Sequence, residues 1–277
     1  MTAQLERPRA GPRLAWWREI VYVLAFYIVY SVVRNMGVAP GSVEEAFANA
    51  RTVIAVERLA GLYHEQDVQQ VFLSQRWFIR ACNIYYGSLH FLVTAGALVW
   101  CFRGMPQRYP LWRNTLAFTT GLALVGFAFF PLMPPRLLPA SYGYVDTLAT
   151  IGGLWSFDSG PVQSISNQYA AMPSLHFAWS LWSTLVLWPA TVGRRWVKAL
   201  LAAYPPVTLF AIVVTANHFW VDAVGGAAAL GAGYALARVV RARVVLARVV
   251  LARAVALRSP PKRSLPEGGG AEAGPGR

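Results

Sequence analysis

Six predominantly apolar runs recur along this chain, over about residues 16–33, 84–102, 114–131, 172–190, 196–216 and 218–240. Each is roughly as long as the hydrocarbon core of a bilayer is thick, and that length leaves the backbone little choice. In hydrocarbon every N–H and C=O must find a partner within its own segment, so such runs become spanning helices. The expected fold class is therefore all-α, a polytopic membrane bundle of six transmembrane helices. Composition agrees: 13% of the residues are charged and 56% hydrophobic, against about 25% charged in a soluble domain.

The net charge of +13 would suggest nucleic acid if it lay along a soluble face. Instead the basic residues gather between the apolar runs. Nineteen of the 25 Lys and Arg fall in the N-terminal tail, in the loops after the second and fourth runs, and from the end of the sixth onward. The positive-inside rule then places both termini of this multi-pass cell-membrane protein in the cytoplasm. Arg7, Arg9 and Arg13 ahead of the first run resemble a signal peptide, but no small-x-small cleavage site follows, so the run is read as an uncleaved first helix.

Residues 1–15 read as a basic cytoplasmic tail and 16–240 as the six-span domain, with its motifs within about 130–226. Between 41 and 80, charges such as Glu44, Glu57, Arg58 and Glu65 recur among apolar residues. This predicts an amphipathic outer segment of one or two helices lying on the membrane surface, with His64 on its solvated face. The connection from Leu132 to Ala171 is longer than most, as functional or disordered loops are. Residues 241–258 interleave Arg with Val, Leu and Ala and predict a basic amphipathic helix against anionic lipid. They lack the aromatic interleaving on which bases stack, so no nucleic-acid partner is expected. Residues 259–277 read as a disordered tail. Cys82 and Cys101 sit about 28 Å apart along one predicted helix, too far to pair.

Two stretches place ionisable residues where apolar runs begin: Ala171-Met172-Pro173-Ser174-Leu175-His176-Phe177 and Asn217-His218-Phe219-Trp220-Val221-Asp222. His176 and His218 are 42 residues apart, about one crossing of a bilayer and one crossing back. Both therefore face outward, as do Asp222 and Arg136, with His90 toward the same face. His218 and Asp222 are spaced i, i+4, so on a helix the carboxylate meets the imidazole, fixes its tautomer and makes the other nitrogen a better base or nucleophile. His176 is placed to supply a proton to a leaving oxygen, and Arg136 offers a planar fork of donors to phosphate. Ser174 is also a natural helix N-cap, a role compatible with holding an anion at a helix start. Asp146, Asp158, Asn167 and Gln168 in the long outer loop read equally well as head-group contacts or as ordinary loop polarity.

Pro173-Ser174-Leu175-His176 resembles the second signature of the type 2 phosphatidic acid phosphatase superfamily, with Leu175 where many members have Gly. His218-x-x-x-Asp222 followed by Gly225-Gly226 resembles the third. The wording of the two motifs, with Pro134-Pro135-Arg136 upstream, is most similar to the inositol phosphorylceramide synthase-like (inositolphosphotransferase) branch over roughly residues 50–235. The resemblance implies His218 as nucleophile, Asp222 as its orienting partner, His176 as general acid, and Ser174 and Arg136 as phosphate ligands, in a reaction needing no metal and no cofactor. The partners it implies are a lipid phosphate substrate and membrane lipids; the oligomeric state stays open. Two of the superfamily's cationic positions hold Phe129 and Ile212 here. Asn217, His90, Arg51 and Arg80 are the residues available to compensate. The expected activity is thus a lipid phosphatase or phosphotransferase acting at the outer face through a phosphohistidine. The alternatives are a metal-dependent hydrolase using His90, His176, His218 and Asp222, and an inactive lipid-binding protein of the same fold.

Overall fold

A computed structural model describes residues 15–35, 43–153 and 168–258, which include nine α-helices and no strands. The expected N-terminal tail up to residue 14, the whole expected C-terminal tail 259–277, and the loop residues Asp158 and Asn167 lie outside the described residues. The helices are α1 (Trp16–Asn35), α2 (Val43–Leu59), α3 (Glu65–Leu73), α4 (Arg76–Gly104), α5 (Tyr109–Phe129), the short α6 (Thr147–Thr150), α7 (Leu175–Leu187), α8 (Arg195–Val214) and α9 (Trp220–Arg258). The all-α class is as the sequence predicts. By length and composition, Arg76–Gly104, Arg195–Val214 and Trp220–Leu251 can each cross a membrane.

Some boundaries differ from the sequence reading. The second apolar run lies inside a longer helix, because α4 begins at Arg76 and its guanidinium ties the start to the carbonyl of Thr150 at 3.1 Å. The fourth run shortens to 13 α-helical residues. Ser174 caps it at one end, its hydroxyl accepting the amide of Phe177, and Pro189 belongs to a 3₁₀ turn that follows at the other. The first compact unit of the chain ends at Arg238. The second holds the distal part of α9, which exposes Val244, Leu246, Val249 and Leu251.

Packing inside the first unit is close and partly polar. α4 lies against α7 and α8, and α5 lies against α7. Pro205 and Pro206 sit inside α8. Pro205 has no N–H to give to the carbonyl of Leu201, four residues back, and Thr184 of α7 donates to that carbonyl at 3.1 Å. Trp182, fully buried on the same helix, donates its indole N–H to the carbonyl of Trp112.

The outer connection is held by side-chain amides. Asn83 of α4 donates to the carbonyls of Thr147 and Gly152 and accepts from the hydroxyl of Thr147. Gln69 of α3 makes a reciprocal pair with the backbone of Val145. An apolar cluster beneath joins Ala50, Val53 and Ile54 of α2 to Leu132, Met133 and Phe219. From residue 43 to 80 the segment holds α2, α3 and the first residues of α4 where one or two helices were expected, and its charges do not all face solvent. His64 is exposed beside Asp67, whereas Glu57 and Glu65 are fully buried.

Candidate active site

Two helix starts and the turns before them build the site. α7 and α9 begin at the same end of the bundle because α8 runs between them and packs back along α7. Their approach is set by glycine. A Cβ at Gly226 would run into the carbonyl oxygen of Ser174, and one at Gly225 would stand 3.3 Å from Pro173 and Met172. With no side chain there, α9 comes close enough for the Ser174 amide to donate to the Asp222 carbonyl at 2.9 Å.

The histidines meet at this contact. His218 places Nδ1 3.1 Å from Oδ2 of Asp222 and Nε2 3.4 Å from Nδ1 of His176. The same Asp222 oxygen accepts the amide of Phe219 at 2.9 Å, so the carboxylate fixes both the ring and the turn that carries it. His218 and Asp222 are buried, at 3% and 0% exposure. With Nδ1–H donated to Asp222, the ring's lone pair is on Nε2.

α4 completes the wall. His90 lies with its ring centroid 4.2 Å from that of His176, and Tyr86 stacks on His176 at the same spacing with an interplanar angle of 25°. Nδ1 of His90 is buried, with the backbone of Tyr86 one helical turn back beside the ring. Arg136 is brought to the site through its backbone, whose N–H donates to the carbonyl of Ala216, two residues before His218. Its guanidinium donates from one terminal nitrogen to Asp146 at 2.7 Å, while Nε is buried with no partner. Asn217 is buried and turns its amide to Thr215, at 2.8 Å from the hydroxyl, so its N–H groups are engaged within their own turn.

The sequence profile of the PAP2 superfamily matches residues 51–236. The chain belongs to the PAP2 superfamily. No curated protein and no solved structure matches it. PAP2 members are phosphatases, so the class of chemistry is that of lipid-like phosphates, in a membrane protein with at least three helices apolar enough to span.

Within this PAP2 chain the described structure gathers His218, Asp222, His176, His90 and Ser174, with Arg136 beside them and Asn217 adjacent but turned away. Of the compensating cations, Arg51 lies over the ring of Phe47, in an outer cleft of about 920 Å³ shared with Arg58, Tyr63 and Tyr142. Arg80 is exposed on α4. Phe129 is 83% exposed and Ile212 is fully buried, and neither side chain carries a polar group to offer a phosphate. Among the described residues no three His, Cys, Asp or Glu are grouped to hold a metal ion. His218 turns one nitrogen to Asp222 and the other to His176.

Sequence reasoning missed Tyr86, Asp146 and the pair Glu57 and Glu65. Tyr86 had a signal, since it precedes His90 by one helical repeat of four. For Asp146 the sequence offered a head-group contact or loop polarity, and not the pairing with Arg136. For the two glutamates the amphipathic pattern pointed to the wrong face.

Proposed function

We propose that this chain is a metal-independent lipid phosphatase or phosphotransferase of the inositol phosphorylceramide synthase-like branch, working at the extracytoplasmic face through a phosphohistidine on His218. One observation carries the reading: His218 stands between a buried carboxylate on one nitrogen and a second imidazole on the other. Asp222 holds Nδ1–H, and Nε2 attacks the phosphorus. As the N–P bond forms, the P–O bond to the lipid leaving group breaks, and that oxygen takes a proton from His176. His176 then removes a proton from the acceptor, whose oxygen attacks the phosphorus and frees His218. Water as acceptor gives a phosphatase and an alcohol gives a transferase; the resemblance to the branch favours an alcohol.

Near-attack geometry needs the phosphorus about 3–3.5 Å from Nε2. His176 already occupies that distance, so substrate binding must part the two rings. Arg136, Ser174 and His90 are assigned to the phosphate oxygens. The unpartnered Nε of Arg136 supports this, as do the closeness of His90 to His176 and the start of α7, whose first amides lack intrahelical acceptors. Asn217 joins them on release from Thr215.

The topology proposed is six spans with both termini cytoplasmic. The ion pair of Glu19 with Arg113, at 2.6 Å, supports it by joining the starts of α1 and α5, which that arrangement puts on one side.

The test is turnover of a panel of radiolabelled lipid phosphates by purified protein in detergent with EDTA, comparing wild type with His218→Ala and trapping label under alkaline conditions. Acid-labile label on the wild type alone establishes the phosphohistidine, and the product separates phosphatase from transferase. Folded protein with neither turnover nor label overturns the reading in favour of an inactive lipid-binding protein.

A further inference from the structure

Three carboxyl groups converge on the first turn of α9. Asp222 accepts the amide of Phe219, Glu65 accepts that of Trp220 at 3.3 Å, and Glu57 accepts that of Val221 at 2.9 Å. Asp222 belongs to the helix it caps. The other two arrive from α3 and α2, 155 and 164 residues earlier in the chain, and both are fully buried.

Their remaining oxygens identify the protonation state. Oε2 of Glu57 and Oε2 of Glu65 are both buried without a hydrogen-bond donor in the chain, and the two carboxyls are neighbours, since they accept the amides of consecutive residues, Trp220 and Val221. Two carboxylates have only acceptors, so they can bond only through a proton held between them. A proton shared by the pair supplies the donor that the rest of the chain does not. Burial, with Glu65 alongside, raises the Glu57 carboxyl to about 9, so the proton stays at neutral pH. The groups that face the pair are Asp222 on α9, Tyr63 in the turn between α2 and α3, and Tyr144 in the outer connection. Arg58 lies over the ring of Tyr63.

We propose that Glu57 and Glu65 are positioning residues, a proton-sharing carboxyl pair by which the outer segment clamps the first turn of α9 and so aims His218. The consequence for chemistry is electrostatic as well as geometric. The clamp supplies two acceptors to the helix start while carrying one negative charge instead of two. A phosphate approaching His218 thus meets less repulsion than two ionised glutamates would give it. The outer segment becomes part of the machinery rather than a surface float. This inference rests on His218 being the reacting residue.

The experiment uses the purified full chain with two variants at one position. Glu57→Ala removes the acceptor of Val221 and the shared proton. Glu57→Gln is an isoelectric copy of the protonated pair, because its carbonyl accepts from Val221 and its NH₂ donates to Glu65. Hydrogen exchange of the peptide covering residues 219–223 is read first, since it needs no turnover. It is expected to speed up by about 10- to 100-fold in Glu57→Ala and to stay near wild type in Glu57→Gln. In turnover, Glu57→Ala lowers kcat by about tenfold or more with KM little changed, and Glu57→Gln restores it. Above about pH 9 the wild type loses kcat as the proton leaves, whereas Glu57→Gln holds level. Unchanged exchange in Glu57→Ala, or a Gln variant as impaired as the Ala variant, overturns the proposal. Exchange that behaves as expected in a protein that forms no phosphohistidine overturns the catalytic reading and leaves the clamp standing.

Discussion

An imidazole is a weak nucleophile in water, and in the proposed reaction His218 is made useful by what holds it. The bond to Asp222 fixes its tautomer and stabilises the ring as positive charge develops. Asp222→Asn keeps the shape but allows the wrong tautomer, and kcat is expected to fall by about 100- to 10,000-fold with a small change in KM, measured by steady-state turnover of a lipid phosphate. Arg136 has a different task. One of its terminal nitrogens is held by Asp146 and its Nε is unpaired, so the planar fork is oriented with donors to spare. Arg136→Lys keeps the charge and loses the fork; KM is expected to rise by about tenfold with a smaller change in kcat. A larger loss in kcat than in KM would mean that Arg136 acts on the transition state instead.

The elements position these residues through close crossings. The site exists because α9 touches the start of α7 where Gly226 leaves no Cβ to intervene. Gly226→Ala is expected to cost about 1–3 kcal/mol in thermal unfolding and to separate His218 from His176, with loss of activity. Gly231, five residues on, would meet nothing within 4 Å. Gly231→Ala is expected to be neutral or to stabilise by up to about 1 kcal/mol. The clamp on α9 adds a pH dependence whose sign follows from Glu57. Its carboxyl titrates near 9 when folded against 4.5 ordinarily. The stability it contributes is complete below about pH 4.5 and is lost progressively as pH rises through about 9. Thermal unfolding in detergent is expected to show Tm falling across that window in the wild type and less so in Glu57→Gln.

For the whole molecule, sidedness decides which pool of substrate the enzyme meets. A water-soluble substrate analogue given to intact spheroplasts is expected to be turned over, with His218→Ala as the blank. Activity that appears only after permeabilisation would reverse the topology. Much of the architecture was legible in the sequence. Apolar runs of bilayer length marked the helices, the spacing of His176 and His218 put both motifs at one end, and the i, i+4 step joined His218 to Asp222, because periodicity and length are local quantities. The ends of α4 and α7 were less legible, since Arg76 and Pro189 acquire their roles from a distant carbonyl and a local turn. Only the tertiary structure decided the rest: Tyr86 and His90 against His176, Asp146 on Arg136, and Glu57 and Glu65 buried behind the site. Those contacts join residues up to 164 positions apart. They depend on how closely helices cross and which faces that crossing buries, and an amphipathic pattern carries no record of a carboxyl drawn inward to meet another helix's unpaired amides.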